Sequence, residues 1–228
     1  MEKQVSVILL CGGQGTRMQS TTPKQFLAIN HKLIAHYSFD VFKSMPEIAE
    51  IVVVCDLPYR HHFSDANLSF PLNFASPGTR RQDSVFNGLN ALTKNSPLVC
   101  VHDSARPLIK SALVQRVIHA AREDGAATAG MPIKFTIKEH ADKRVKNTPD
   151  RSKYWEIQTP QVIRTEMLKK GFDHIQRLNL TVTDDVSIVE HLGCPVKLVE
   201  GSYTNIKITT QEDLELAEFL LKKEHERI

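Results

Sequence analysis

The run Cys11-Gly12-Gly13-Gln14-Gly15-Thr16-Arg17-Met18 follows directly on the apolar stretch Val5–Leu10, and Pro23-Lys24-Gln25 comes close behind. Glycines at 12, 13 and 15 let the backbone pass close to a ligand and turn N–H groups inward as a nest for an anion. Arg17 and Lys24 bring two positive charges to the same loop. The chemistry this suits is phosphate binding, with charge stabilised on a phosphorus under attack. The spacing is not G-x-x-x-x-G-K-[ST], which excludes a P-loop. It is not G-x-G-x-x-G either, because Met18 stands at the third glycine position, so a dinucleotide site is not expected. Standing alone, such a loop also fits a plain strand-to-helix turn.

Three further segments carry chemistry-bearing residues. Ser76-Pro77-Gly78-Thr79-Arg80-Arg81-Gln82-Asp83-Ser84 joins a glycine turn to two arginines and opens a helix, where N–H groups and Ser84 can hold a base edge or a phosphate. Arg80 and Arg81 equally fit a solvated charge pair. Val101-His102-Asp103-Ser104-Ala105-Arg106-Pro107 ends an apolar run. A carboxylate there suits Mg²⁺, and Arg106 suits bidentate binding of phosphate oxygens; Asp103 paired with Arg106 is the plain alternative. Thr183-Asp184-Asp185, with Ser187, can open a helix, and Asp184 or Thr183 can be its N-cap. Lys207 sits between Ile206 and Ile208, where a lysine calls for a nearby anion.

Elements to position these groups can be read from the hydrophobic pattern. Apolar runs at Val5–Leu10, 51–55, Leu72–Ala75, 98–102 and 126–131 read as buried strands, and 33–42, 82–92 and 111–123 as helices between them. The alternation predicts right-handed βαβ crossovers and a mostly parallel, twisted sheet of Rossmann-like α/β class. Residues 132–160 break it. Short runs at 135–139, 145–148 and 154–159 around a charged turn predict an antiparallel β-arm leaving the sheet. Helices at 165–178, 184–191 and 211–226 and strands at 195–200 and 205–208 complete one domain over residues 1–228.

Of the 228 residues, 41% are hydrophobic and 24% charged, as in ordinary globular chains, and the net charge of +3 gives no broad field for nucleic acid. No apolar run approaches the length of a membrane span, and no leader is recognised before Val5, so a cytoplasmic chain that binds no membrane is expected. Cys11, Cys55, Cys100 and Cys194 form no metal-binding spacing and read as free thiols in a reducing compartment.

Taken together, GGQGTRM, PKQF, RRQDSV, VHDSARP, TIKE, QTPQ, TDDVSIVE and NIKITT occur in order along nearly the whole chain, which resembles the 2-C-methyl-D-erythritol 4-phosphate cytidylyltransferase family, nearest its plant and chlamydial branch. The resemblance implies transfer of CMP from CTP to a polyol phosphate with release of pyrophosphate, a step of non-mevalonate isoprenoid synthesis. It implies Mg²⁺ or another divalent cation on Asp103, and a homodimer interlocked through the arm. The backbone of Cys11, Gly12, Gly13 and Gly15 would hold the triphosphate; Gly78, Thr79, Ser84 and Ser104 would read cytosine and ribose. Arg17, Lys24 and Lys207 would be catalytic, with Arg106, Thr136, Arg151, Thr159, Thr183 and Lys207 on the methylerythritol phosphate. Two positions depart from the pattern: Phe135 precedes Thr136 where many members have Asp, and Thr79 stands where an acid is frequent. A ribitol 5-phosphate cytidylyltransferase shares several blocks and is the alternative; a catalytically silent nucleotide-binding protein is a further rival.

Overall fold

Alternating residues of the central strands divide the interior into two layers. The structure, a computed structural model, describes residues 4–13, 22–64 and 68–225. In β1 (Val5–Leu10), Val5, Val7 and Leu9 join one apolar cluster while Ile8 and Leu10 join the other. The same alternation splits β4 (Ile48–Val54) and β6 (Leu98–Asp103), as the two-residue period of a strand requires. On the first face lie α1 (Ile34–Lys43), through Phe39 and Phe42, and α3 (Ser111–Asp124), through Val114, Val117 and Ala121. On the second lie α2 (Arg81–Asn90), α4 (Thr165–Arg177) and α5 (Val186–Glu190).

With β5 (Leu72–Ala75), β7 (Ala126–Pro132), β10 (Trp155–Arg164) and β11 (Lys197–Glu200), these strands form a seven-stranded sheet in the order β11-β7-β10-β6-β1-β4-β5. All its pairings are parallel except those of β10, which runs antiparallel to both β6 and β7. The product is a single α/β domain with a mostly parallel sheet. Two hairpins flank it, β2 (Ala28–Ile29) with β3 (Lys32–Leu33), and β8 (Glu139–Ala141) with β9 (Arg144–Asn147). Helix α6 (Gln211–His225) covers a third cluster holding Ile29, Ile34, Leu108 and Ile208. Among the described residues no helix is long and apolar enough to cross a membrane.

Three expectations change. Residues 154–159 are not part of the hairpin: from Trp155 they are the first half of β10, inside the sheet. Their polar character misled, because Gln158 and Thr159 are buried by hydrogen bonding rather than by hydrophobicity. Residues 135–138 pair with no strand, and the arm's strand begins at Glu139. Residues 205–208 form no strand; their backbone is held locally, Asn205 N–H on the Ser202 carbonyl and Ile208 N–H on the Ala105 carbonyl at 2.9 Å.

Candidate active site

Parallel strands put their C-terminal ends on one edge, and because β10 is reversed, its Gln158 and Thr159 arrive at that edge too. Alternation along β6 sends His102 toward Phe42 on one face, ring centroids 5.3 Å apart, and Asp103 toward α2 and α5 on the other. Arg81, the first residue of α2, reaches across with its guanidinium. It donates to Oδ1 of Asp103 from Nε at 3.2 Å and Nη2 at 3.1 Å, and to both oxygens of Asp185 at 2.7 and 2.8 Å. Lys207 takes Oδ2 of Asp103 at 2.7 Å, held in place by the Ile208–Ala105 hydrogen bond and by Ile208 in the third cluster.

Burial alone would raise the Asp103 pKa, but Arg81 and Lys207 outweigh it and hold the carboxyl far below its ordinary range. Burial likewise pulls Arg81 down, and Asp185 and Asp103 more than reverse it, so the guanidinium stays charged. Asp185 receives no lysine; complete burial lifts its pKa above the ordinary carboxylate value. His102, enclosed by protein, is lowered to about 3 and stays neutral, its Nδ1 3.0 Å from the Thr159 hydroxyl.

A cleft of about 310 Å³ opens between the ends of β1 and α2; Gly12, Gly13, Lys24, Gly78, Thr79, Ser84, Asp103 and Lys207 all line it. Glycine is required at two of these positions by close approach. A Cβ on Gly12 would stand 2.8 Å from Pro77 Cβ, and one on Gly78 2.3 Å from Asp83 Cβ. The Gly78 N–H donates to Ser84 Oγ at 3.0 Å, which fixes the second turn against α2. A second cleft of about 470 Å³ holds Arg106, Thr159, Thr183, Gln158 and Asp184. The two clefts share Arg81, Asp103 and Lys207 as a common wall.

Several of the expected residues are engaged by the protein itself. Ser104 is fully buried and donates to the Leu10 carbonyl at 2.8 Å. Thr159 is buried beneath Asp103, accepting its N–H at 3.1 Å, so both hydroxyls brace the strand ends. Thr79 donates its hydroxyl to Asp83, whose carboxylate also accepts the Arg80 N–H and side chain as a helix cap. Cys11 is buried, and desolvation pushes its thiol far above the ordinary range. Asp184 accepts from the Ser187 N–H and hydroxyl, but the N-cap position of α5 is Asp185, one residue later than Asp184 or Thr183. Arg106 does not pair with Asp103; its Nη1 donates to the Asn205 carbonyl at 2.7 Å. Thr136 and Arg151 line neither cleft, and Arg151 donates to the Lys134 carbonyl. Gly15 and Arg17 lie outside the described residues.

Arg81 is the residue that sequence reasoning undervalued. Its sign was plain, but its partners are 22 and 104 positions away. A pair of arginines at a helix start gives no hint that Arg80 caps locally while Arg81 turns inward.

Comparison with known proteins bears on the whole chain. A family model described as 2-C-methyl-D-erythritol 4-phosphate cytidylyltransferase matches residues 5–223. A chloroplastic enzyme of that name from Oryza sativa is 50% identical over 225 residues, covering 97% of this chain and 76% of its own. One from Chlamydia pneumoniae is 41% identical, covering 95% and 98%. The crystal structure of 4-diphosphocytidyl-2C-methyl-D-erythritol synthase from Anaerococcus prevotii superposes with a TM-score of 0.85 at 30% identity, covering 96% of this chain and 99% of that one. The chain therefore belongs to the 2-C-methyl-D-erythritol 4-phosphate cytidylyltransferase family.

Proposed function

We propose that this chain is a nucleotidyltransferase that joins CTP and 2-C-methyl-D-erythritol 4-phosphate into 4-diphosphocytidyl-2-C-methyl-D-erythritol and pyrophosphate, in isoprenoid biosynthesis. The observation that carries it is the wall of Arg81, Asp103 and Lys207 between two clefts, one framed by the glycine loop and Lys24, the other by Arg106 and Thr183. That arrangement suits two phosphorylated molecules meeting phosphate to phosphate. The acceptor's phosphate oxygen attacks the α-phosphorus, a P–O bond forms, and the bond to the β-phosphate breaks as pyrophosphate leaves. No side chain becomes covalently attached; the protein's task is to position two anions and stabilise charge as it shifts. Lys24 and Lys207 are read as the groups that do so, together with Arg17.

A divalent cation fits the donor set. Asp103 is the carboxylate lining both clefts' common wall, and its two oxygens together offer about four lone-pair directions, of which the cationic partners use only part. Among the described residues no group of three or more His, Cys, Asp or Glu could hold a metal by itself, so the nucleotide's phosphates would complete the coordination, as is common for Mg²⁺. When bound, the cation would neutralise phosphate charge.

We read the arm as the dimer contact. Phe135 is 82% exposed and Val145 64%, and Thr136 and Arg151 lie beside them, away from the clefts of their own chain. These features support a twin subunit whose arm brings Thr136 and Arg151 to the acceptor phosphate. Four free cysteines suit a reducing compartment, with the cytoplasm our reading. Pyrophosphate release with Mg²⁺ and CTP, run separately with methylerythritol phosphate and ribitol 5-phosphate, tests the assignment. Turnover with the first alone is expected; turnover with the second alone would move the chain to another polyol, and silence with both would overturn the reading.

A further inference from the structure

We propose that Gln25 is the positioning residue of the glycine loop: its side-chain amide holds the carbonyls of Cys11, Gly12 and Gly13 on one side, so that the N–H groups of Gly12 and Gly13 face the nucleotide's phosphates. The proposal rests on the reading of the first cleft as the nucleotide site.

The Nε2 of Gln25 lies 2.8 Å from the Cys11 carbonyl, 2.8 Å from that of Gly12 and 3.3 Å from that of Gly13. In a trans peptide the C=O and the next N–H point in opposite directions. Gathering these carbonyls onto one amide therefore aims the N–H groups of Gly12 and Gly13 away from Gln25. The loop needs such a hold, since Gly13 has φ +112°, which side-chain-bearing residues rarely adopt, and no side chain of its own to pin it. The orientation of the amide is unambiguous, because reversing it would set its oxygen against three carbonyl oxygens. Gln25 is buried at 2% exposure, and its Oε1 has no partner among the described residues.

The local fold explains how one turn serves two purposes. Residues Lys24–Phe26 form a 3-10 turn, in which successive side chains point about 120° apart. Phe26 faces the core and stacks on Tyr59, ring centroids 4.2 Å apart and planes within 8°. With that anchor set, Lys24 faces the cleft and Gln25 the loop, so the lysine and the glycine backbone are held by a single turn.

Two variants of the full-length chain test this: Gln25→Met, which keeps length without a donor, and Gln25→Glu, which keeps shape and places oxygens against the carbonyls. CTP and CMP binding with Mg²⁺ is measured by titration calorimetry, KM for each substrate by pyrophosphate release, and folding by thermal melting. For Gln25→Met the CTP affinity is expected to fall about tenfold to a hundredfold, as for loss of two neutral hydrogen bonds. The CMP affinity and the acceptor's KM should stay within about twofold on the same scale. Gln25→Glu should lose more than Gln25→Met near neutral pH. Its deficit relative to the parent should shrink as pH falls, when the neutral carboxyl regains a donor. CTP affinity unchanged in Gln25→Met would overturn the proposal, as would CTP, CMP and acceptor terms shifting in parallel. If Gln25→Met does not fold, the pH dependence of Gln25→Glu decides. A parent chain that fails to bind CTP would instead overturn the nucleotide reading.

Discussion

Lys207 and Arg81 hold opposite oxygens of one carboxylate, Lys207 on Oδ2 of Asp103 at 2.7 Å and Arg81 on Oδ1 at 3.1 Å. The two cations are not equivalent. Arg81 is also forked onto Asp185, whereas among the described residues Lys207 makes only that ion pair, at the mouth of both clefts. Lys207 can therefore turn to a phosphate while Arg81 keeps Asp103 neutralised.

Replacing Lys207 by Gln should thus weigh on turnover more than on stability. Turnover is expected to drop on the order of 10²–10³, the usual loss for one fixed charge-stabilising donor. The melting temperature should fall too, but by less than in an Arg81 variant, because Asp103 keeps Arg81 and Asp185 is untouched. Steady-state kinetics beside a thermal melt gives the answer, and near-normal turnover would remove Lys207 from the catalytic set. Lys24→Ala should lose turnover by a similar factor, on the order of 10²–10³.

Arg81→Leu should do the reverse. It leaves Asp103 with one partner and Asp185 with none, and removing one member of a buried ionic group costs about 3–5 kcal/mol. Arg81→Lys keeps charge without the fork and should fall between. Urea unfolding of both variants tests the order; a Leu variant as stable as the parent would show the network to be dispensable to the fold.

Acid should weaken the fold through His102. The folded chain holds this imidazole neutral down to about 3, while the unfolded chain takes a proton near 6.5. The unfolded state therefore binds the extra proton between those values, and stability falls as pH drops through the window by up to about 1.4 kcal/mol per pH unit. His102→Gln should flatten the slope by one proton's worth. Unfolding free energies at several pH values below 6.5 give the comparison, and parallel slopes would exclude His102 as the source.

If arms are exchanged between twins, two dead variants should rescue each other. Lys24→Ala spoils a cleft, and Arg151→Ala spoils an arm. In an equal mixture, half the dimers would be mixed, and each mixed dimer has one intact site, so about a quarter of parent activity should return. No return of activity after subunit exchange would place Arg151 outside the neighbour's site.

The parallel strands were legible because each is a continuous apolar run buried on both faces. The first half of β10 was not, for Gln158 and Thr159 spend their polarity on internal partners no local pattern reveals. That Gly12, Gly13, Lys24 and Asp103 gather at one cleft was legible, because residue type and the end of a strand together confine where they can lie. The roles of Ser104 and Thr159 as braces were not, since a hydroxyl reads alike whether it meets a ligand or the Leu10 carbonyl. The lysine between Ile206 and Ile208 announced an anion correctly in kind, and only the folded chain shows it to be Asp103.

Neighbouring residues of β6 face different worlds, His102 the apolar layer under Phe42 and Asp103 the charged wall. A single deletion upstream in this strand would exchange them, sending a carboxylate into hydrocarbon and an imidazole into the reaction path. Evolution can therefore alter this strand by substitution but scarcely by insertion or loss. Length variation among descendants should collect in the loops and the arm, and β6 should act as the ruler against which the rest of the chain is measured.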